Sequence, residues 1–371
     1  NRHVLHEHVK MPNINSILPS LRKGSLMATF DVKDGYFNVP IAPQCQCYFR
    51  FIVGTKVYEL TRLPMGFVGS MQAFNQWLKP YVETLRALFP ELQMFSYVDD
   101  CLIVLPKQLR VMARKTIRKV RATLETLGLP LKNEKCVWEP STEAQFLGFV
   151  LNTRDLTIAC PRKKARKIRK QIRQTCKQAA KGTLRVRAFA STIGMIIALL
   201  PAARNARLHA AHLFDAQTKA LADGGWRRNP KVRLSAEAEA ELNFWLNFLQ
   251  NAEGYPLGAR YTCHEVTVVA TDAADDCIAG CMVSAPDLPT FSRTLSRRET
   301  RRHINYKELQ AVMESRQHFR LRGTWVNFRV DNTTVVAAIN KWSTKAKQML
   351  PLLRELHSWA VRTNTKVTAT Y

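Results

Sequence analysis

Acidic residues are scarce in this chain: 29 aspartates and glutamates stand against 56 lysines and arginines, leaving a formal net charge of +27. Between Leu156 and Phe214 there is no acidic residue at all. Such an imbalance in a sequence that is 46% hydrophobic calls for a polyanionic partner rather than a cationic one. Long apolar runs are missing too. None approaches the roughly 18 residues of a membrane span, and the chain opens Asn-Arg-His-Val without an apolar signal core. The expectation is a soluble, intracellular protein with no membrane partner. Nine cysteines are present, but the closest pairs, Cys45 with Cys47 and Cys277 with Cys281, lack the histidines or second pair of a zinc site. They read as reduced thiols that fill core space. No internal repeat or low-complexity tract is visible, and 371 residues exceed one ordinary core, so two or more packed units are expected.

The apolar run Leu26 to Val32 meets an acidic residue at its end, and two strand-like stretches follow, from Phe49 and from Lys56. Apolar residues recur at helical spacing from Phe67 to Phe89, where Pro80 should kink or break the helix. Short strands from Leu92 to Val98 and from Cys101 to Leu105 flank Asp99 and Asp100, a hairpin with carboxylates at its tip. A helix from Leu109 to Leu127 stops at Gly128, and a strand pair lies near Cys136 to Val150. Beyond it, Ile168, Ile172 and Cys176 fall four apart in the most basic stretch. That spacing predicts a helix with one buried stripe and a cationic face carrying Arg162, Lys163, Lys164, Arg166, Lys167, Arg169, Lys170 and Arg173, suited to gripping phosphates. Turn residues cluster from Asp223 to Pro230, and a helix from Ser235 to Leu249 presents Leu242, Trp245, Leu246 and Leu249 on one side. From Glu265 the pattern reads strand, strand, strand, helix, strand, helix, helix, strand.

Adding a nucleotide to a 3′ hydroxyl requires two divalent cations, one to acidify the attacking hydroxyl and one to neutralise the triphosphate. Asp31 at a strand end and Asp99 with Asp100 at a hairpin tip could supply the oxygen ligands if their strands are neighbours. Taken singly, each has a duller explanation: Asp31 as a strand-end turn residue, Asp99 and Asp100 as tip residues, Tyr36 and Phe37 as core aromatics. Their conjunction decides. The strings FDVKDGYFNVPI, LPMGFVGSMQAFNQW and FSYVDDCLIV, with LKNEKCVW and FLGFVL after them, resemble the palm motifs of reverse transcriptases in order and approximate spacing. The resemblance implies that Asp31 and Asp99 bind both metals with Asp100 close by. It further implies that Tyr36 excludes a ribose 2′ hydroxyl, and that Met65 and Gly66 line the incoming nucleotide.

A second carboxylate set follows. Asp272 follows the apolar strand Val266 to Ala270, Glu308 lies in the first turn of a helix in HINYKELQAV, and Asp331 follows the strand Trp325 to Val330. Alone, Asp331 would suit a helix N-cap and Glu308 a dipole-favourable charge. As an ordered trio in TDA, NYKEL and VDN strings they resemble the ribonuclease H of retroelements, which cleaves RNA in hybrids with metal-activated water. That family adds a fourth acidic residue from a final helix, whereas this chain stops at Tyr371, in what should be the last strand. Only thirty residues precede Asp31, fewer than complete fingers need.

The implied fold is α/β (α+β): a right-hand polymerase palm with partial fingers (1–160) and a basic helical thumb (161–225). A connection (226–262) and a truncated ribonuclease H-like mixed-sheet domain lacking its C-terminal helix (263–371) complete it. The implied cofactor is Mg²⁺, two per site, or Mn²⁺ in its place. The implied partners are an RNA template, a DNA primer, their hybrid and deoxynucleoside triphosphates. The strings look most like DIRS-type retrotransposons, which integrate through a tyrosine recombinase, with gypsy-type elements next; no protease or integrase motif is visible. The competing readings are a decayed or domesticated nucleic-acid-binding scaffold, which need not keep the carboxylates, and a general basic RNA-binding protein, which predicts no acidic clusters at strand ends.

Overall fold

The computed structural model describes residues 11–203, 206–222, 224–250, 254–256, 266–285, 287, 290–363 and 365–371. Asp223, Glu265 and the greater part of the connection beyond Gln250 lie outside these. The chain divides into two compact units, one running to Pro161 and taking in residues 254–257, the other holding the remainder.

In the first unit, β1 (Leu26–Asp31) is paired on both sides. Its neighbours are β5 (Asp100–Leu105) and β6 (Val137–Ser141), and β4 (Gln93–Tyr97) lies beyond β5, in a sheet of order β4-β5-β1-β6. The buried run of β1 and the Cys101–Leu105 stretch of β5 are apolar throughout because helices cover them. These are α1 (Ser70–Leu88), which buries Phe74, Leu78 and Leu85, and α2 (Ala113–Thr126), which buries Ile117, Val120 and Leu124 at helical spacing. Each such side chain contributes about 1.5–3 kcal/mol when removed from water. α1 continues through Pro80 rather than breaking there. Pro80 has no N–H to donate, and the core contacts of Phe74, Leu78 and Leu85 on either side hold the helix together. α2 ends in a Schellman arrangement: Gly128 at φ +74° donates to the Glu125 carbonyl and Leu129 donates to that of Leu124.

Two smaller sheets complete this unit. β2 (Arg50–Val53) and β3 (Lys56–Glu59) form an exposed hairpin. β7 (Glu143–Phe146), β8 (Phe149–Asn152), β9 (Thr157–Ala159) and β10 (Tyr255–Pro256) form a sheet of order β10-β9-β8-β7. Leu147 at φ +46° and Gly148 at φ +73° make the two-residue turn between β7 and β8, a type I′ geometry.

The second unit begins with α3 (Arg162–Ala180), α4 (Val186–Ile197), α5 (Ala211–Ala222) and α6 (Ala236–Phe248). Ile168 and Ile172 form the buried stripe of α3 as expected, but Thr175 rather than Cys176 completes it. The Thr175 hydroxyl lies 2.8 Å from that of Thr192 on α4, so a satisfied polar pair sits where a thiol was expected. A five-stranded sheet of order β13-β12-β11-β14-β15 follows. It comprises β11 (Val266–Ala273), β12 (Cys277–Met282), β13 (Phe291–Thr294), β14 (Trp325–Val330) and β15 (Lys366–Thr370). β11, β14 and β15 run parallel while β12 is antiparallel to both its neighbours. α7 (Ile304–His318), α8 (Thr333–Lys341) and α9 (Leu350–Arg362) pack around Phe328, Val326 and Val269. The parallel neighbours β11 and β14 carry acidic residues at or just beyond their C-terminal ends.

Candidate active sites

Asp31 closes β1 and Asp100 opens β5, and the two are register partners across adjacent antiparallel strands. Asp99 sits on the two-residue turn between β4 and β5, where Tyr97 pairs with Asp100. Its carbonyl accepts the Val32 N–H at 3.0 Å, so the turn is tied to the end of β1. Val98, at φ +54°, is a β-branched residue in the left-handed region; such a conformation costs about 1–3 kcal/mol and persists only where its surroundings impose it.

The Asp31 side chain is buried and accepts the Lys135 ammonium at 3.1 Å, while its carbonyl takes the Lys132 N–H at 2.8 Å. Burial pushes the Asp100 carboxyl above its ordinary value, and the negative charges of Asp99 and Asp31 push it further. A side-chain hydrogen bond to Asp31 raises it in the same direction. The Lys135 ammonium is correspondingly held above its usual range by Asp31, with Asp100 and Asp99 adding to the effect. Asp31, Asp100 and Lys135 line a cavity of about 390 Å³, whose far wall includes Phe146, Leu147 and Gly148 of the β7–β8 turn.

Tyr36 is half-buried, its ring edge-on to Phe74 at 5.7 Å, and its hydroxyl is pushed up by burial and by the charge of Asp99. The tyrosine therefore neighbours the same carboxylates. Met65 and Gly66 form the turn ahead of α1; Met65 is 74% exposed and Gly66 adopts φ +84°, a conformation that favours glycine. On α3, Arg162, Lys163, Arg166, Lys167, Lys170 and Arg173 are exposed, whereas Lys164 and Arg169 are partly covered and the Arg169 Nε is buried.

In the second unit Asp272 stands near the end of β11 and Asp331 directly follows the parallel β14, both exposed. Glu308 reaches them from the second turn of α7, one turn later than the sequence pattern suggested, with only 3% of its surface exposed. Its Oε2 is buried with no hydrogen-bond partner. Burial, followed by the charges of Asp272 and Asp331, pushes the Glu308 carboxyl up to about 7. The duller roles do not hold here: Asn332, not Asp331, caps α8, accepting from the N–H groups of Thr334 and Val335. Asp331 instead accepts the Tyr371 hydroxyl.

Among the described residues no three Asp, Glu, His or Cys side chains are drawn tightly enough together to hold a metal ion as they stand. Both sets nevertheless fit a divalent cation. An orphaned buried carboxylate oxygen at Glu308 and the cross-strand carboxylates Asp31 and Asp100 are donors whose mutual repulsion a hard cation relieves. Sequence reasoning missed Lys135. Its position in LKNEKCVW carries no local signal, and only the strand pairing that brings β6 beside β1 reveals it.

The fold is that of reverse transcriptases, a mixed α/β palm with a helical thumb. A foamy viral protease-reverse transcriptase bound to double-stranded DNA matches all of this chain and 61% of its own at a TM-score of 0.57 and 18% identity. Another, bound to an RNA/DNA hybrid, matches at 0.56 and 17%, covering 47% of that protein. Residues 2–151 match the family model for reverse transcriptase (RNA-dependent DNA polymerase). Similar proteins include the Gag-Pro-Pol polyprotein of Human T-cell leukemia virus 2, 32% identical over 141 residues. The Gag-Pol polyprotein of Baboon endogenous virus is 29% identical over 167. These stretches cover 35% and 41% of this chain and 9% of each polyprotein, so the chain spans about a tenth of the curated relatives it matches.

Proposed function

We propose that the chain is an RNA-directed DNA polymerase that extends a DNA primer on an RNA or DNA template, with an associated ribonuclease H that cleaves RNA in hybrids. The observation that carries this reading is the cross-strand pairing of Asp31 with Asp100, with Asp99 on the adjoining turn, inside a stretch that matches the reverse transcriptase family. Asp31 and Asp99 hold two Mg²⁺ ions, or Mn²⁺ in their place, with Asp100 beside them. Bound cations of this kind acidify the attacking 3′ hydroxyl and neutralise the leaving pyrophosphate.

The chain's own residues supply the rest. Lys135 places a counter-charge on the Asp31 carboxylate. Tyr36, seated on Phe74, stands under the sugar and clashes with a 2′ hydroxyl, selecting deoxynucleoside triphosphates, while Met65 and Gly66 line the incoming nucleotide. Arg162, Lys163, Lys164, Arg166, Lys167, Arg169, Lys170 and Arg173 grip the template-primer backbone. Asp272, Glu308 and Asp331 hold the cations of the nuclease, and the partnerless Glu308 oxygen supports that role. The domain borders at 160, 225 and 262 belong to the same proposal.

The motif strings support a retrotransposon of the DIRS type as the source, and the eight cysteines outside any disulfide among the described residues agree with an intracellular setting. The test is primer extension on an RNA template with Mg²⁺: the chain extends, and Asp99→Asn abolishes extension while hybrid binding stays intact. Retained extension in that variant removes Asp99 from the metal site.

A further inference from the structure

One strongly charged surface has no role in the reading above. Between β13 and α7 the chain reads Ser-Arg-Arg-Glu-Thr-Arg-Arg-His, and Arg297, Arg298, Arg301 and Arg302 are all exposed. Six residues contain four guanidinium groups, and among the described residues none of the four is paired with a carboxylate. The nearby acids are engaged elsewhere: Arg293 binds both Glu299 and Glu314, and Glu299 also closes a capping box with Ser296. Gln310 donates to Glu299 and to Glu314, which fastens the one-turn helix Arg297–Thr300 onto α7. The result is a rigid mount that turns four cations outward, since their only local acid faces inward.

The mount also has a defined place. Asn305, three residues beyond the cluster, accepts from the Asn332 side chain at 2.9 Å, and Asn332 directly follows Asp331. The cluster therefore stands at the same end of the sheet as Asp272, Glu308 and Asp331. Arg302 lies over the Tyr306 ring at 5.2 Å, which holds its guanidinium beside the start of α7. The exposed acids at this end, Asp275 and Asp276 on the β11–β12 turn, limit what may approach from that side: the Asp275 carbonyl is held by the buried Lys307 ammonium at 2.8 Å, so the turn stays put.

We infer that Arg297, Arg298, Arg301 and Arg302 form a second phosphate-gripping surface, separate from the basic helix α3, that seats the backbone of an RNA–DNA hybrid beside the Asp272–Glu308–Asp331 carboxylates. This rests on the nuclease reading for its purpose, but its binding claim can be tested alone. Binding of a short RNA–DNA hybrid by the full chain is measured in EDTA, across a salt series, for the wild type and for the four arginines changed to glutamine or to glutamate. The expected result is about a tenfold loss at 0.15 M salt for the glutamine variant, more for the glutamate one, with the salt slope lowered by about one per phosphate contact removed. Arg320→Glu with Arg322→Glu, beyond the other end of α7, serves as a control of charge alone and should bind as the wild type does. Unchanged binding in the cluster variants overturns the proposal, and so does an equal loss in the control. Cleavage with Mg²⁺ separates the two readings: a wild type that fails to cut, alongside cluster variants that fail to bind, sinks the nuclease and leaves the surface standing.

Discussion

The two carboxylate sets answer the same demand with different electrostatics. Near Asp31 the charge is already partly met, because Lys135 sits on the buried carboxylate. Near Glu308 no cationic side chain among the described residues takes part: the most deeply buried acid of the trio is the one with a bare oxygen, and its two neighbours add repulsion. The first arrangement carries a counter-charge of its own. The second stores repulsion that only a proton or a metal ion can discharge, so pH and Mg²⁺ should govern the nuclease set more steeply than the polymerase set.

The largest expected effect comes from Glu308→Gln. RNA cleavage in a hybrid should drop by about a hundredfold or more while primer extension is unchanged; a joint loss of both activities would break the comparison. Next is Tyr36→Ala, which acts on the first set alone and should raise ribonucleotide incorporation by roughly tenfold or more, read from single-nucleotide extension. If discrimination stays as it was, Tyr36 is only a core aromatic.

The pH prediction follows from Glu308. Its folded carboxyl titrates at about 7 against an ordinary 4.5, so between those values the folded state binds the extra proton. Stability is therefore complete below about pH 4.5 and is lost as pH rises through 7. Without divalent metal the melting temperature of the second unit should fall by a few degrees from pH 5 to 8, and Glu308→Gln should flatten that slope. A slope that survives the substitution assigns it to another group. The smallest effect is expected at Lys135→Ala, where the uncompensated Asp31 should lower the Mg²⁺ needed for half-maximal extension by a fewfold. An unmoved Mg²⁺ dependence would mean that Lys135 contributes no compensation.

Much of this architecture could be read from the residues because its signals are local. The run into Asp31, the Asp99 hairpin, the glycine stop at Gly128 and the strand-helix order after residue 265 are all patterns within a few residues of one another. Features set by distant partners were not legible. Pro80 looks like a helix breaker until the core on both sides of it is known. Lys135 and Asp31 lie far apart in sequence and meet only because β6 pairs with β1. Asp331 and Asn332 are equally suited to capping α8 on composition, and backbone geometry gave the task to Asn332. The depth of Glu308 depends on which face of α7 turns inward. That helix is buried over so much of its circumference that the pattern does not single out a face.

One contact in the second unit reaches beyond either site. The buried Glu241 carboxylate on α6 accepts the N–H groups of His212 and Leu213 at the start of α5 and also the Arg354 guanidinium from α9. Arg354 in turn donates to the Leu208 carbonyl, and Leu208 belongs to the same apolar core as Phe328 and Val335. The helices before residue 250 and the helices that cover the sheet after residue 265 are thus soldered at a triple junction. Expressing the C-terminal sheet by itself would strand Arg354 without its acid and bare the hydrophobic seam around it, so a soluble, independently folding nuclease fragment should be sought with the preceding helices still attached.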